Sequence, residues 1–379
     1  MKIERYLEEK IRNDFNKKKV LIVYGARQVG KTTLVKKLGE AFGESLVYYN
    51  CDLDEPRKAF EEHNLEYLSS LVRKYDIIII DEAQRIKNAG LSLKILIDNF
   101  PEKNFLVTGS SSIEIANTVS EPLTGRFFSY PLYPIALAEI AKTKNPLEIR
   151  EMIEERLIFG SYPEVVTSVD KFDKQRIIEN IANNYLLKDI LQLGVIKDVG
   201  ILKKLLQAIA LQLGNEVSMT ELSRIVEIDK NTVRKYLDLC EKIFILFSLP
   251  PYFSNKRKSI SKMKKYYFYD VGIRNALLRN FNSLDVRNDV GALWENFLLL
   301  ERMKYNSARN IFPQYYFWRS YEQHEIDMVE EIAGKLFGFE FKYTKNVASE
   351  ATRRIFTNEL HGEKLEVINK DNFGAFVGV

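Results

Sequence analysis

The chain has 379 residues, of which 46% are hydrophobic and 28% charged, values typical of a soluble globular protein with two or three domains. Its net charge of +4 does not by itself indicate a nucleic-acid partner, and its two cysteines form neither a disulfide framework nor a metal-binding motif. The N-terminus lacks the apolar stretch of a signal peptide and the longest apolar runs are too short to span a bilayer, so we expect a cytoplasmic protein with no membrane partner.

The first 140 residues alternate helical and strand-like segments. Residues 3–16 have the pattern of an amphipathic helix. Apolar runs of strand length follow at 20–24, 46–50, 76–80, 105–108 and 127–131. Strands that alternate with helical stretches predict a parallel sheet covered on both faces, and the four consecutive isoleucines at 77–80 predict a strand buried in its centre.

A phosphate-binding loop pattern, G-x4-G-K-[ST], extends from Gly25 to Thr32 between a strand and a helix. Its glycines permit the backbone geometry that turns consecutive N–H groups toward phosphate oxygens, and the helix N-terminus adds a favourable dipole. We predict that Lys31 reaches the β- and γ-phosphates of ATP and that Thr32 ligates Mg²⁺. The predicted nucleotide-binding residues are Gly25, Ala26, Arg27, Gln28, Val29, Gly30, Lys31, Thr32 and Thr33.

A carboxylate pair, Asp81-Glu82, ends the isoleucine strand. A carboxylate at the end of a buried strand can hold the hydration shell of Mg²⁺, and its neighbour can orient or deprotonate an attacking water. We therefore predict that Asp81 helps to bind Mg²⁺ and that Glu82 activates the water that hydrolyses ATP. The alternative is a core strand that ends in two solvated acids.

Two further polar segments belong to the predicted ATPase site. Thr108 and Ser110 stand at the end of the run 105–108, where their hydroxyls can sense the γ-phosphate; a Ser/Thr-rich turn is the alternative. Arg126 follows a glycine turn and can stabilise the transferring phosphoryl group, in its own subunit or in a neighbouring one. The alternative for Arg126 is a surface arginine that pairs with an acid.

Residues 217–249 carry a helix-turn-helix pattern. Ser218 with Glu221 three positions later predicts a capped first helix, and Asp229 predicts the cap of a second. The apolar run 243–249 that follows favours a winged helix. The exposed start of the second helix carries residues suited to phosphates and base edges. They are Lys230, Asn231, Thr232, Arg234 and Lys235.

A basic stretch follows this pattern. Residues 253–265 contain six Lys or Arg and no acid, with aromatic residues alongside. Together with the second helix, this stretch predicts contact with DNA. The alternative is a helical module used for protein packing, joined to a solvated basic linker.

Three acids and a lysine near the C-terminus form a candidate metal site. Asp327 and Glu340 lie in neighbouring strand-like segments, and Lys342 faces the same side as Glu340 because side chains alternate along a strand. These residues can bind one divalent metal, with Lys342 positioning water and the helical Glu295 completing the shell. The alternative is a set of solvated or salt-bridged surface acids.

Taken together, the motifs of the chain resemble those of the AAA+ ATPases of archaea and bacteria that carry a C-terminal winged-helix and PD-(D/E)XK nuclease-like region. The resemblance covers nearly the whole chain. It rests on the loop 25–32, Asp81-Glu82, the Thr108–Ser111 segment, the run ending at Arg126, the Gly-Ser-Tyr-Pro-Glu turn at 160–164, residues 267–272, Trp294-Glu295 and Glu325-Ile-Asp327.

The resemblance implies an α/β fold with Arg126 as an arginine finger. It also implies that Asp327, Glu340 and Lys342 form the D…E-x-K signature of the nuclease fold, with Glu295 as its helical acid. A clear second sensor arginine is missing from the lid, where Arg176 fits by position alone. The implied parts are a P-loop AAA+ core with a parallel sheet at 1–140, a helical lid at 141–198, a winged helix at 199–255 and a nuclease-like α/β domain at 256–379.

Our leading hypothesis is a DNA-associated ATPase in which ATP and Mg²⁺ switch the orientation of the DNA-binding and nuclease-like parts. A second hypothesis is a metal-dependent nuclease that the ATPase gates. A third is a signalling switch that binds a protein partner and carries an inactive nuclease-like domain. An Arg126 that acts on a neighbouring subunit also requires a homo-oligomer.

Overall fold

The computed structural model describes residues 3–110, 122–142, 144–185, 198–255, 263–320, 322–344 and 349–379. It divides into two compact units. The first comprises Lys2–Tyr133 and Lys242–Phe244, and the second comprises Pro134–Glu241 and Ile245–Val379. Within the described ranges, no helix combines the length and the apolar character needed to cross a membrane.

The first unit is an α/β structure. Its helices are α1 (Tyr6–Asn13), α2 (Lys31–Gly39), α3 (Asp54–Glu61), α4 (Leu65–Val72) and α5 (Ala89–Asn99). Its strands are β1 (Val20–Tyr24), β2 (Leu46–Asn50), β3 (Ile77–Asp81), β4 (Asn104–Gly109) and β5 (Phe127–Pro131).

These five strands form one parallel sheet in the order β2-β3-β4-β1-β5. The prediction of a parallel α/β core is confirmed. All four isoleucines of β3 are fully buried, because β3 lies between β2 and β4 and both of its faces are covered. Since the strands are parallel, their carboxyl ends share one edge of the sheet, and the segments that follow β1, β3 and β4 meet there.

The second unit is mainly helical before residue 245 and mixed after it. Its helices are α6 (Leu137–Ala141), α7 (Pro146–Phe159), α8 (Pro163–Thr167), α9 (Lys171–Asn180), α10 (Val199–Leu211), α11 (Met219–Val226), α12 (Lys230–Lys242), α13 (Val271–Leu278), α14 (Val290–Ala308), α15 (Glu350–Arg354) and α16 (Phe373–Val377). Its strands are β6 (Glu216–Val217), β7 (Leu246–Leu249), β8 (Lys264–Phe268), β9 (Gln314–Arg319), β10 (Glu325–Ile332), β11 (Lys335–Phe341) and β12 (Lys364–Ile368).

The helix-turn-helix pattern corresponds to α11 and α12, and both predicted caps are confirmed. Ser218 accepts a hydrogen bond from the backbone N–H of Glu221 at 3.4 Å. The Asp229 carboxylate accepts from the N–H groups of Asn231 and Thr232, at 2.9 and 3.0 Å, and so satisfies the first turn of α12.

A small antiparallel sheet, in the order β6-β8-β7, accompanies these helices. The predicted domain boundary at 255 places β8 in the C-terminal domain. In the structure β8 pairs along its length with β7, from Leu246 opposite Phe268 to Leu249 opposite Lys265. The strand therefore belongs to the same sheet as β6 and β7, and the side chains of β8 link that sheet to α14 and β10.

The C-terminal part is a four-stranded sheet in the order β12-β11-β10-β9, against which α14 and α16 pack. An ion pair joins α14 to this sheet. The Arg302 guanidinium donates to both carboxylate oxygens of Glu330 on β10, each at 2.8 Å, and Asn306 donates to the same carboxylate at 2.7 Å. Glu330 is fully buried, so these donors are what make its charge tolerable there.

Replacing Arg302 with methionine should destabilise the C-terminal part strongly. The change leaves the Glu330 carboxylate buried without its ion partner, and we expect the free energy of unfolding to fall by about 3–5 kcal/mol in urea titrations. Arg309→Met is the matched control, because Arg309 is exposed and lies 4.6 Å from the Tyr305 ring, where a cation contributes about 1 kcal/mol or less. Equal effects of the two substitutions would contradict this account of the ion pair.

Candidate functional site

The predicted phosphate loop lies at the carboxyl edge of the parallel sheet. It connects the end of β1 to the start of α2, as its pattern requires. Gly30 has φ 97° and immediately precedes α2, a left-handed conformation that glycine adopts without strain. Gly25 has φ 155°, and a Cβ at that position would lie 2.2 Å from the carbonyl oxygen of Leu132. Both glycines are therefore required by the backbone itself.

The remaining loop residues divide by exposure. Lys31 is 5% exposed, and its ammonium donates to the carbonyls of Gly25 and Ala26 at 3.0 and 2.9 Å. Its charge is thus held at the mouth of the loop. Val29 is fully buried, so it can offer a ligand only its backbone. Arg27 and Thr32 are half-buried, and Gln28 and Thr33 are exposed.

Asp81 receives hydroxyl groups from three different elements. Thr32 of α2 donates to Oδ2 at 2.8 Å, and Tyr48 of β2 donates to the same oxygen at 2.6 Å. Thr108 of β4 donates to Oδ1. Asp81 is 3% exposed, and a buried carboxylate that accepts several such bonds is fixed in position. The structure thus brings the predicted Mg²⁺ residues Thr32 and Asp81 into direct contact.

Tyr48 is a member of this site that the sequence analysis missed. Burial and the hydrogen bond to Asp81 raise the pKa of Tyr48 well above its ordinary value, so the phenol remains a donor. Strand β2 is the edge strand beside β3, with Asn50 opposite Asp81 in the register. Tyr48 could be predicted as a site residue only by knowing that β2 pairs with β3, and the sequence alone does not give that pairing.

Thr108 connects Asp81 to Glu82. Strand β4 lies between β1 and β3, which places Thr108 beside the end of β3. Thr108 is fully buried; its hydroxyl donates to Asp81 and accepts from the backbone N–H of Glu82 at 3.0 Å. This geometry favours a positioning role for Thr108 over the predicted role as a phosphate sensor.

Glu82 is oriented by a second polar residue that was not predicted, Gln84. The Gln84 amide donates to the Glu82 carboxylate and, at 3.1 Å, to the hydroxyl of Ser110. Glu82 itself has φ 56° and ψ 43°, a left-handed conformation that turns the chain sharply after β3. The predicted residues Glu82 and Ser110 therefore belong to one hydrogen-bonded group, with Gln84 between them.

Arg126 lies at the opposite edge of the sheet from the phosphate loop. It precedes β5, whose first residue, Phe127, is opposite Val20, the first residue of β1. Five strand residues at about 3.3 Å each separate that edge from the loop by about 16 Å. The Arg126 guanidinium pairs with the exposed Asp98 at 2.6 Å. The strand direction therefore carries Arg126 away from the nucleotide loop of its own subunit, and its role as an arginine finger stays a prediction.

Arg176, suggested as a second sensor by position alone, is an exposed residue of α9. Its nearest acid is Asp173 at 3.6 Å, one helical turn away, and its guanidinium lies 5.8 Å from the Phe172 ring. These are local surface contacts within one helix, and they do not indicate a nucleotide-sensing role.

The predicted DNA-contacting residues of α12 form an exposed basic surface. Lys230, Asn231, Arg234 and Lys235 are exposed, and Thr232 is half-buried with its hydroxyl donating to Asp229. Residues 256–262 of the basic stretch lie outside the described residues. The prediction that Lys265 belongs to a basic DNA-contacting stretch is wrong. Its side chain is 2% exposed because its position on β8 turns it inward, so it contributes nothing to a basic surface.

Lys265 instead lies among the predicted metal-binding acids. Its ammonium pairs with Glu295 on α14 at 3.5 Å and with Glu325 at the start of β10. Tyr267, two positions further along β8, donates its hydroxyl to Glu295. Asp327 accepts a hydrogen bond from the backbone N–H of Phe341 at 2.7 Å.

The remaining predicted pair, Glu340 and Lys342, lies on and just after β11. Their charged groups are 3.8 Å apart, as expected for residues that share a face. Asp327 and Glu340 stand on paired strands, next to the register pair Met328 and Phe339. The structure therefore brings the four predicted residues into one region, together with Lys265, Tyr267 and Glu325.

The pKa values in this region show how its charges compensate. Burial alone would lower the pKa of Lys265, but the neighbouring carboxylates hold it above its ordinary value. Burial raises the pKa of Glu295 and of Asp327, and Lys265 offsets this only in part. The carboxylates outnumber the cations Lys265 and Lys342 in this region, and burial therefore dominates the pKa shifts of Glu295 and Asp327.

The donor set does not fit a divalent metal. Among the described residues, no group of three or more His, Cys, Asp or Glu side chains is arranged to hold a metal ion. The Glu295 carboxylate is already bonded to a phenol and an ammonium. The predicted metal role of Glu295, Asp327, Glu340 and Lys342 therefore lacks support from this geometry.

Comparison with known proteins agrees with the nucleotide site. Residues 17–141 match the family model described as AAA domain. Residues 150–284 match a domain of unknown function (DUF8612), and residues 290–372 match a domain of unknown function (DUF4143). The second match runs across the predicted boundaries at 198 and 255, in keeping with the pairing of β8 with β7.

Similar proteins occur in bacteria and archaea. An uncharacterized protein of Mycobacterium tuberculosis is 28% identical over 364 residues, which cover 95% of this chain and 78% of that protein. An uncharacterized protein of Methanocaldococcus jannaschii is 24% identical over 331 residues, covering 82% of this chain and 72% of that protein.

Among solved structures, the RuvB Holliday junction branch migration motor of Thermotoga maritima is 14% identical, with a TM-score of 0.33 over 69% of this chain and 95% of that one. Drosophila ORC bound to AT-rich DNA and Cdc6 is 12% identical, with a TM-score of 0.25 over 72% and 92%. Values of this size establish neither a shared fold nor a shared function. The family match and the geometry of the loop together support a nucleotide-binding domain of the AAA type over residues 17–141, followed by residues that match the DUF8612 and DUF4143 domains.

Proposed function

We propose that the protein binds ATP with Mg²⁺, hydrolyses it, and does so in association with duplex DNA. The observation that carries the ATPase half is the 2.8 Å contact between the Thr32 hydroxyl and the Asp81 carboxylate, beside the buried ammonium of Lys31. A hydroxyl and a carboxylate at one point give Mg²⁺ the oxygen donors it prefers, next to a cation suited to phosphate.

Each residue of the site has a defined task in this proposal. The backbone N–H groups of 25–32 bind the β-phosphate, and Lys31 turns from the loop carbonyls to the β- and γ-phosphates. Thr32 and Asp81 hold Mg²⁺, which, when bound, neutralises charge on the phosphate oxygens. Glu82, held by Gln84, accepts a proton from the water that attacks the γ-phosphate.

Arg126 acts on a neighbouring subunit in this proposal. Its position at the amino edge of the sheet leaves it unable to reach its own nucleotide, while its exposed side chain is open to an adjacent copy. The ATPase site is then completed only in a homo-oligomer. In a subunit without a neighbour, Arg126 pairs with Asp98 at the surface.

The DNA half of the proposal rests on α12. A helix-turn-helix places the start of its second helix in the major groove, and here that start presents Lys230, Asn231, Arg234 and Lys235 to solvent. The small sheet β6-β8-β7 that accompanies α11 and α12 favours the winged-helix form. Nucleotide state would then be coupled to DNA binding through the chain that joins the two units.

Glu82→Gln should separate binding from hydrolysis. The amide keeps the shape of the side chain but cannot accept the proton of the attacking water, so we expect kcat for ATP to fall about 100-fold or more, with ATP affinity changed only a few-fold. Lys31→Ala should abolish ATP binding. Glu66→Gln, an exposed acid of α4, is the control and should retain wild-type turnover. Full turnover by the Glu82→Gln variant would contradict the assigned role.

Tyr48→Phe tests the newly identified hydroxyl. Loss of its hydrogen bond leaves the Asp81 carboxylate less firmly positioned for Mg²⁺. We expect ATP turnover to fall about 10-fold, equal to about 1.4 kcal/mol, and the Mg²⁺ concentration at half-maximal rate to rise. Tyr49→Phe is a close control, because the neighbouring hydroxyl donates to the Leu71 carbonyl on the other side of β2. If both variants turn over ATP equally well, Tyr48 has no part in the site.

Removing the charges of Arg234 and Lys235 tests the DNA interface. The double alanine variant should bind duplex DNA more weakly at all sequences and should reduce the slope of log affinity against log salt by about 2, because two phosphate contacts are lost. Alanine at Lys335 and Lys364, two exposed lysines of the C-terminal sheet, is the charge-matched control. Unchanged DNA binding by the α12 variant, or ATPase activity that responds to a protein partner and not to DNA, would favour the signalling alternative.

A further inference from the structure

One lysine from the β6-β8-β7 sheet reaches into the carboxylates of the C-terminal part. Lys265 is 2% exposed, and its ammonium pairs with Glu295 of α14 and Glu325 of β10. Its neighbour Lys264 faces the other way and is half-buried, 3.4 Å from the hydroxyl of Ser248. The alternation of β8 therefore sends one lysine toward solvent and the next into the acids.

The surroundings of Lys265 are packed as well as charged. Its ammonium lies 5.2 Å from the centre of the Phe317 ring, a distance at which a cation is attracted to the ring face. The backbone approaches Glu295 closely at Gly214, where an added Cβ would lie 3.1 Å from Oε2. Tyr267 donates to the other carboxylate oxygen of Glu295. One oxygen of Glu295, Oε1, is thus occupied by the phenol and the ammonium, and the backbone at Gly214 lies close to the other.

We propose that the Lys265 ammonium takes the place of a divalent metal ion among Glu295, Glu325 and Asp327, so that this centre is closed by an internal cation. The lysine supplies the positive charge that buried carboxylates need. Its N–H groups donate hydrogen bonds to carboxylate oxygens that would otherwise bind a metal ion. A second, divalent cation at the same place would be repelled by the ammonium and would have to displace it.

This closure has two consequences. The C-terminal region performs no metal-dependent cleavage of nucleic acid while Lys265 is in place, although its residues resemble a nuclease signature. The same contact ties β8 to α14 and β10, so that the β6-β8-β7 sheet is joined to the C-terminal sheet by an ion pair. The centre is therefore a structural joint between two parts of the second unit.

Mn²⁺ binding to the full-length protein without nucleotide tests the inference. In calorimetric titration we expect wild-type protein and the Asp327→Asn variant to bind Mn²⁺ alike, because Asp327 holds no Mn²⁺ in the wild-type protein. Lys265→Met should create a new Mn²⁺ site, and the double variant Lys265→Met with Asp327→Asn should lose it again. The thermal midpoint of Lys265→Met should fall by several degrees and be partly restored by Mn²⁺, whereas Lys264→Met, the neighbouring control, should do neither.

Two results would overturn the inference. One is a Mn²⁺ site in the wild-type protein that disappears on Asp327→Asn, and the other is a folded Lys265→Met variant that gains no Mn²⁺ site. If Lys265→Met does not fold, the wild-type and Asp327→Asn titrations still decide, since an Asp327-dependent site contradicts closure and its absence supports it. The ATPase site does not confuse the outcome, because it lacks Asp327.

Discussion

The carboxylate of Asp81 is the point on which the nucleotide site depends. It ends a fully buried strand and collects hydroxyl groups from α2, β2 and β4, so that four separate elements converge on one side chain. Any shift of these elements relative to one another would break a buried charge-assisted hydrogen bond, which costs more than a neutral one. The parallel sheet provides this convergence, because only its carboxyl edge brings the ends of β1, β3 and β4 together.

A similar constraint organises the C-terminal part, with the signs reversed. There a lysine, Lys265, is the buried charge, and carboxylates from α14 and β10 collect around it. In both places a charge is kept out of water by partners from several elements, and the identity of the central charge decides the chemistry. The Asp81 carboxylate is held only by neutral hydroxyl groups, so its charge remains uncompensated and suits Mg²⁺, whereas a carboxylate set already paired with an ammonium has little need of a metal ion.

Features that are local in sequence could be predicted. The loop 25–32, the pair Asp81-Glu82 and the caps at Ser218 and Asp229 each depend on residues a few positions apart, and the structure places them as expected. The parallel core followed from the alternation of apolar runs with helical segments. For these features, spacing along the chain already determines the geometry.

Features that depend on strand order could not be predicted. Tyr48 joins the site because β2 pairs with β3, and Arg126 leaves it because β5 runs parallel to β1 and begins at the far edge. Lys265 read as part of a basic stretch until the pairing of β8 showed which face it occupies. A one-residue change of register would exchange the roles of Lys264 and Lys265, and sequence alone does not fix that register.

The role of Asp81 is tested by the Mg²⁺ dependence of ATP turnover in wild-type protein and in Asp81→Asn. We expect hydrolysis by the wild-type protein that requires Mg²⁺, and loss of that activity in the variant, because the amide cannot carry the charge that holds the metal. Turnover that persists in Asp81→Asn, or a wild-type protein that neither binds nor hydrolyses ATP with Mg²⁺ present, would contradict this role.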